Sequence, residues 1–149
     1  MPFSAEEEHQ LYVKWCKGEM QAVKFLHDIS EISQIADDFV DGDVSDSESM
    51  TRLLHLSLVE LPKNLFFIRY SNWLVPVMSS SMMLWNASNG WKNEFGFVYR
   101  EALEQIVGID AQICGGHEHA VQVTKELNEF YHQTHGENYD NWLEEVNHG

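Results

Sequence analysis

The chain has 149 residues, 44% of them hydrophobic, and sets 9 Lys+Arg against 24 Asp+Glu for a formal charge of -15. That length is most simply one domain, residues 1–149, able to bury about two-thirds of its unfolded surface without disulfide or metal staples. Its charge repels phosphate backbones and anionic headgroups, so neither direct nucleic-acid binding nor membrane binding is expected. Recruitment of divalent cations, or imitation of a polyanion against a basic groove on another protein, both stay open.

Apolar residues recur at helical spacing, and no stretch alternates with period two. Ser4 followed three residues later by Glu7 is a capping box, which predicts a helix to about Lys17, stopped by Gly18. A second helix is predicted from Glu19 to about Asp41, ending at Gly42. Ser45 or Ser47 can cap a third, running to Leu61 and closed by Pro62. The fourth starts near Lys63 and carries Pro76, where it kinks or splits. "NASNG", residues 86–90, reads as a polar turn. A fifth helix follows from about Trp91 to Cys114, ending at Gly115 and Gly116; a sixth covers Glu118 to Gln133, and a short last one Tyr139 to Val146. The expected fold is all-α, a single compact helical bundle of about six to seven helices.

The most apolar stretch, Leu65 to Trp85, is interrupted by Arg69, Asn72, Pro76 and Ser79 to Ser81. It falls short of the roughly 20 uninterrupted apolar residues of a membrane span and reads as a buried segment, with Trp73 and Trp85 in the core. Trp15, Trp91 and Trp142 are equally candidates for interface anchors. Two cysteines, Cys16 and Cys114, make no disulfide framework and have no paired metal-ligand spacing in their flanks, which suits a reducing, cytoplasmic setting. "MPFSAEEEHQ" is acidic where an export signal is basic and then apolar, so no export is expected.

On the second helix Phe25, Ile29, Ile32, Ala36, Phe39 and Val40 form an apolar face, and His27, Glu31, Gln34, Asp38 and Asp41 a continuous polar ridge opposite. Such a ridge is commonly a solvated face, but the five carboxylates from Glu31 to Asp43 meet no nearby lysine or arginine in sequence. Asp28 and Asp110 project into apolar faces instead. A buried carboxylate must find a partner or take up a proton, and Arg69, in "LFFIRYSNW", is the obvious partner, with Asn72 one turn on. Cys114, His117 and His119, or Glu129, His132 and His135, offer zinc-type donors, but their spacing does not converge on one helical face, and surface histidines are the better reading.

"DDFVD" matches the DDxxD motif, and in this the chain resembles class I terpenoid (isoprenoid) synthases. The resemblance covers two short motifs: Asp37, Asp38 and Asp41 at i, i+1 and i+4, and Asn86, Gly90 and Glu94 at i, i+4 and i+8, with glycine at the central position. It implies an all-α enzyme whose carboxylates hold Mg2+ against a diphosphate. Small helical nucleotide pyrophosphatases likewise use acidic clusters, completed by oligomerisation, so a homo-oligomer is compatible. "FLHDISE" also resembles the His-Asp doublet of HD-domain phosphohydrolases, with His9 upstream and Asp110 downstream.

The expected function is therefore a small cytoplasmic helical protein with a Mg2+ site acting on a phosphorylated small molecule, a phosphate or diphosphate ester. Asp37, Asp38, Asp41, Glu94 and Asn86 would hold the metal, Arg100 would offset charge on the leaving phosphate, and Arg69 would belong to a buried supporting network. The alternative is a non-enzymatic acidic inhibitor or assembly factor that binds a basic protein partner.

Overall fold

A computed structural model describes residues 4–42, 46–91 and 104–130, together with positions 140, 143, 144 and 147. Among the described residues there are helices and no strands, an all-α bundle as the periodicity predicts.

Helix α1, Ala5–Trp15, opens with the predicted capping box: Ser4 Oγ accepts from the Glu7 amide, and the Glu7 carboxylate accepts from the Ser4 amide at 3.3 Å. It ends two residues before the predicted Lys17, because Lys17 and Gly18 both take positive φ (52° and 79°) and reverse the chain. Helix α2, Met20–Asp41, ends at Gly42 in the left-handed conformation, as predicted.

Helix α3, Ser47–His55, is capped by Asp46, whose carboxylate accepts from the Ser49 amide at 2.7 Å. Ser47 is the first helical residue rather than the cap, and Ser45 lies outside the described residues. A carboxylate caps as well as a hydroxyl and adds a charge favourable to the helix N-terminus. The chain then widens into a π-helical turn, Leu56–Glu60, and a further turn, Leu61–Lys63. Pro62 does not close the helix as predicted: it occupies the start of a fresh turn, where the missing N–H is not needed.

Helix α4, Leu65–Ser88, is capped by Asn64, which accepts from the Phe67 amide and donates to the Gln21 carbonyl at 3.0 Å. Pro76 lies inside it, yet the non-helical residue is Tyr70 (φ -113°, ψ 20°), six residues before the proline and beyond the i-4 carbonyl that its ring meets, so the helix does not break at the proline. The helix persists through Asn86 and Ala87, so only Asn89 and Gly90 of the predicted turn leave it. Helix α5, Gln105–Gly115, and helix α6, His117–Glu129, are joined by Gly116 at φ 91°. Positions 92–103 of the predicted fifth helix, the end of the sixth beyond 130, and most of the predicted last helix, Trp142 included, lie outside the described residues.

The core draws Trp15 from α1, Phe25 and Leu26 from α2, Leu74 from α4, Ile106 from α5 and Val123 from α6. Trp15 is 2% exposed, a core residue rather than an interface anchor, and its indole N–H donates to Glu126 at 2.9 Å. Trp73, expected inside, is 54% exposed on a stripe of α4 with Leu65 and Ile68. That helix is apolar nearly all round, so periodicity alone did not say which stripe turns inward. No helix among the described residues is long and apolar enough to cross a membrane.

Candidate metal centre

Asp110 and Cys114 are one turn apart on α5 and therefore share a face. The same face meets the end of α1, where Cys16 is the C-cap. Cys16 donates its thiol to Asp110 Oδ1 at 3.2 Å and Cys114 donates to the same oxygen at 3.5 Å. Asp110 is completely buried, and its second oxygen, Oδ2, has no hydrogen-bond partner. One donor atom from each of the three residues lies within 4.8 Å of the others. A tetrahedral zinc ion with Zn–S of about 2.3 Å and Zn–O of about 2.0 Å spaces sulfur and oxygen about 3.5 Å apart, so the observed separations fit one ion.

Burial raises the Asp110 carboxyl to about 7, with its two thiol donors pulling the other way and Glu19 adding to the rise. The Cys16 thiol is pushed far up by its contact with Cys114, then by burial and the neighbouring Asp110 charge. An apolar surrounding with an unsatisfied carboxylate oxygen costs about 1–3 kcal/mol until a proton or a cation arrives.

Cys114 is the member that reaches outward. It helps to wall a cavity of about 400 Å3 with Glu19, Gln21, Phe66, Arg69 and Tyr70. The Arg69 guanidinium lies 5.3 Å over the Tyr70 ring and is paired with no carboxylate among the described residues. The turn behind the site is held by His119, whose Nε2 meets the Trp15 carbonyl at 2.6 Å. The same ring fills the space beside Gly115 that a side chain there would need.

The residues singled out in the sequence are placed differently. Arg69 partners neither buried acid: Asp28 is bound by Lys24 at 2.6 Å, which also faces Glu60, and Asp110 by the two thiols. The reason is that lysine at i-4 reaches Asp28 along its own helix, while Arg69 turns outward on α4. Asp37 accepts from the Trp85 indole at 2.7 Å, and Asp38 accepts from Gln34 at 3.0 Å. Asp41 and Asn86 are exposed, the latter in the last turns of α4. Glu94 and Arg100 lie outside the described residues, as do His132 and His135. Among the described residues the group of three or more donor side chains that converges is Cys16, Asp110 and Cys114, and the acids of the α2 ridge do not form one.

The His-Asp doublet also separates. His27 Nε2 lies 3.0 Å from His9 Nδ1 with the rings stacked, while Asp28 faces Lys24. Burial, followed by the His9 charge, holds His27 below the usual histidine range. The signal that sequence reasoning had in hand for the actual cluster was "IDAQIC", a carboxylate on an apolar face with a thiol one turn later. Its third member stands 94 residues away. Comparison with known proteins returns no matching family model, no matching curated protein and no matching solved structure.

Proposed function

We propose that the protein binds a single divalent transition ion of zinc type through Cys16, Asp110 and Cys114, and uses it to hold a small anionic molecule in the adjoining cavity. The observation that carries this reading is Asp110: a fully buried carboxylate with two thiols on one oxygen and nothing on the other. Two sulfurs and one carboxylate suit a borderline-soft ion and not Mg2+, which takes oxygen donors and keeps its waters. Three protein donors are the number found at zinc sites that keep one coordination position open. That position would face the side from which Cys114 meets the cavity, where Arg69 supplies a cation for a phosphate or carboxylate.

The test is anaerobic titration of the reduced chain with Zn2+ and Co2+. The expected result is one ion per chain, with thiolate-to-cobalt charge-transfer bands that disappear in Cys114→Ser and Asp110→Asn. Inorganic phosphate should perturb the cobalt spectrum of the native chain, and Arg69→Gln should weaken that effect. Failure of Co2+ to bind at micromolar concentration would overturn the reading.

A second reading, Mg2+ on the α2 ridge, is favoured by one contact. The Trp85 indole on Asp37 lays the end of α4, with Asn86, beside the C-terminal half of α2. Asp38 and Asp41 would then share an ion with Asn86 and Glu94. Calorimetry with millimolar Mg2+ on the native chain and on Asp38→Ala tests it, and equal heats from the two chains would remove it.

A further inference from the structure

The two cysteines differ in one respect that matters to chemistry beyond metal binding. Cys114 walls the cavity and is half-buried, whereas Cys16 is 1% exposed and lies behind it. Both thiols donate to the same carboxylate oxygen, so the sulfurs sit on the same side of Asp110 and within 4.8 Å of each other. They are the only cysteines in the chain.

We propose that Cys16 and Cys114 are a reversible dithiol–disulfide couple in which Cys114 is oxidised first, by a small peroxide entering the cavity, and Cys16 is the resolving thiol. This rests on the same three residues as the metal reading and adds a regulation of that site, because a disulfide consumes both sulfur donors.

In the first step the Cys114 sulfur attacks the peroxide. The S–O bond of a sulfenic acid (S–OH) forms, the O–O bond breaks, and the departing oxygen takes up the Cys114 proton and leaves as an alcohol or water; sulfur gives up two electrons and the peroxide takes them. In the second step the Cys16 sulfur attacks the Cys114 sulfur. The S–S bond forms, the S–O bond breaks, and the hydroxyl departs with the Cys16 proton as water. Asp110 Oδ1, hydrogen-bonded to both thiols, lies on the path of that proton. Access explains the order: a peroxide meets Cys114 in the cavity wall, whereas Cys16 is not part of that wall and is 1% exposed. An external dithiol reverses the couple by exchange and restores both thiols.

The experiment uses the full chain, reduced and freed of metal with a chelator, then exposed to hydrogen peroxide. The expected result is loss of both thiols, a mass lower by two hydrogens, a monomeric band without reductant, and recovery with dithiothreitol. Cys16→Ser should accumulate a sulfenic acid at Cys114 that dimedone traps, while in Cys114→Ser the remaining Cys16 should stay unmodified at the same peroxide dose. Sulfinic acid or an intermolecular disulfide in the native chain would overturn the proposal. So would equal labelling of the lone cysteine in the two variants. Zinc binding is measured in parallel on the reduced and oxidised chains and should vanish on oxidation. A disulfide that forms in a chain with no affinity for zinc would leave the couple standing and remove the metal, whereas zinc binding without a disulfide would do the reverse.

Discussion

Oδ1 of Asp110 accepts the thiol of Cys16 across 3.2 Å, joining the cap of α1 to the middle of α5 in the interior of the bundle. In the metal-free chain this carboxyl, held at about 7 in the fold by burial, has an ordinary value of 3.8 when unfolded. The folded state therefore grips its proton more tightly. Stability is greatest below the unfolded value, falls as pH rises from about 4 to about 7, and is level above that. Asp110→Asn should abolish this slope and, in chelator at pH 8, raise stability by about 2–4 kcal/mol. Urea melts at pH 5 and pH 8 check both statements; an unchanged slope in the variant would assign the pH dependence elsewhere.

Between α1 and α2 the sign is opposite. His27, stacked on His9 with Glu8 at 3.6 Å, is held below its ordinary 6.5, first by burial and then by the His9 charge. A histidine kept neutral by the fold costs stability as pH falls below 6.5, where the unfolded chain takes its proton first. In the Asp110→Asn chain, where the opposing carboxyl slope is absent, melts from pH 7 to pH 5 should show this loss, and adding His27→Gln should remove it.

The C-terminal half of α2 is tied to α4 by the Asp37–Trp85 hydrogen bond at 2.7 Å. A charge-assisted bond of this kind contributes about 1.5–3 kcal/mol. A double-mutant cycle with Asp37→Ala and Trp85→Phe should give a coupling of about 1–2 kcal/mol. Additive single effects would mean that the bond does not hold the two helices together.

Gly115 has the His119 ring and the end of Lys17 where a Cβ would lie. Gly115→Ala must displace the ring from the Trp15 carbonyl, and should cost about 1–3 kcal/mol. Because Cys114 is the preceding residue, the same variant should also weaken Co2+ binding. Thermal melts and cobalt titration check the two effects separately.

Lys24 is the cation on Asp28, whose side chain is 5% exposed against 47% for the lysine. Lys24→Met leaves a buried carboxylate without its charge partner. The full cost of breaking a buried pair is about 3–5 kcal/mol, reduced here by the exposure of the lysine to about 1–3 kcal/mol. Chemical denaturation at neutral pH measures it, and an unchanged midpoint in Lys24→Met would mean that the pair does not hold this part of α2.

Much of the secondary structure was legible because its causes are local. The capping box at Ser4, the left-handed glycine at Gly42 and the break at Gly116 each depend on residues within one turn, and periodicity marked Asp28 and Asp110 as carboxylates on apolar faces. Boundaries failed where a neighbour of equal chemistry competed, as Asp46 did with Ser45 and Ser47. They failed again where the backbone changed register, as the π-helical turn did before Pro62.

The sequence by itself determined an all-α chain, its strong negative charge and the two misplaced carboxylates. Asp28 takes Lys24 one turn earlier on its own helix, a local pair already present in the sequence. Only the tertiary structure decided the distant partner of Asp110, because that pairing depends on packing angles between helices, and it turned Arg69 outward over Tyr70. It brought Cys16 to Asp110 across 94 residues of chain, which no spacing rule in a helix can encode.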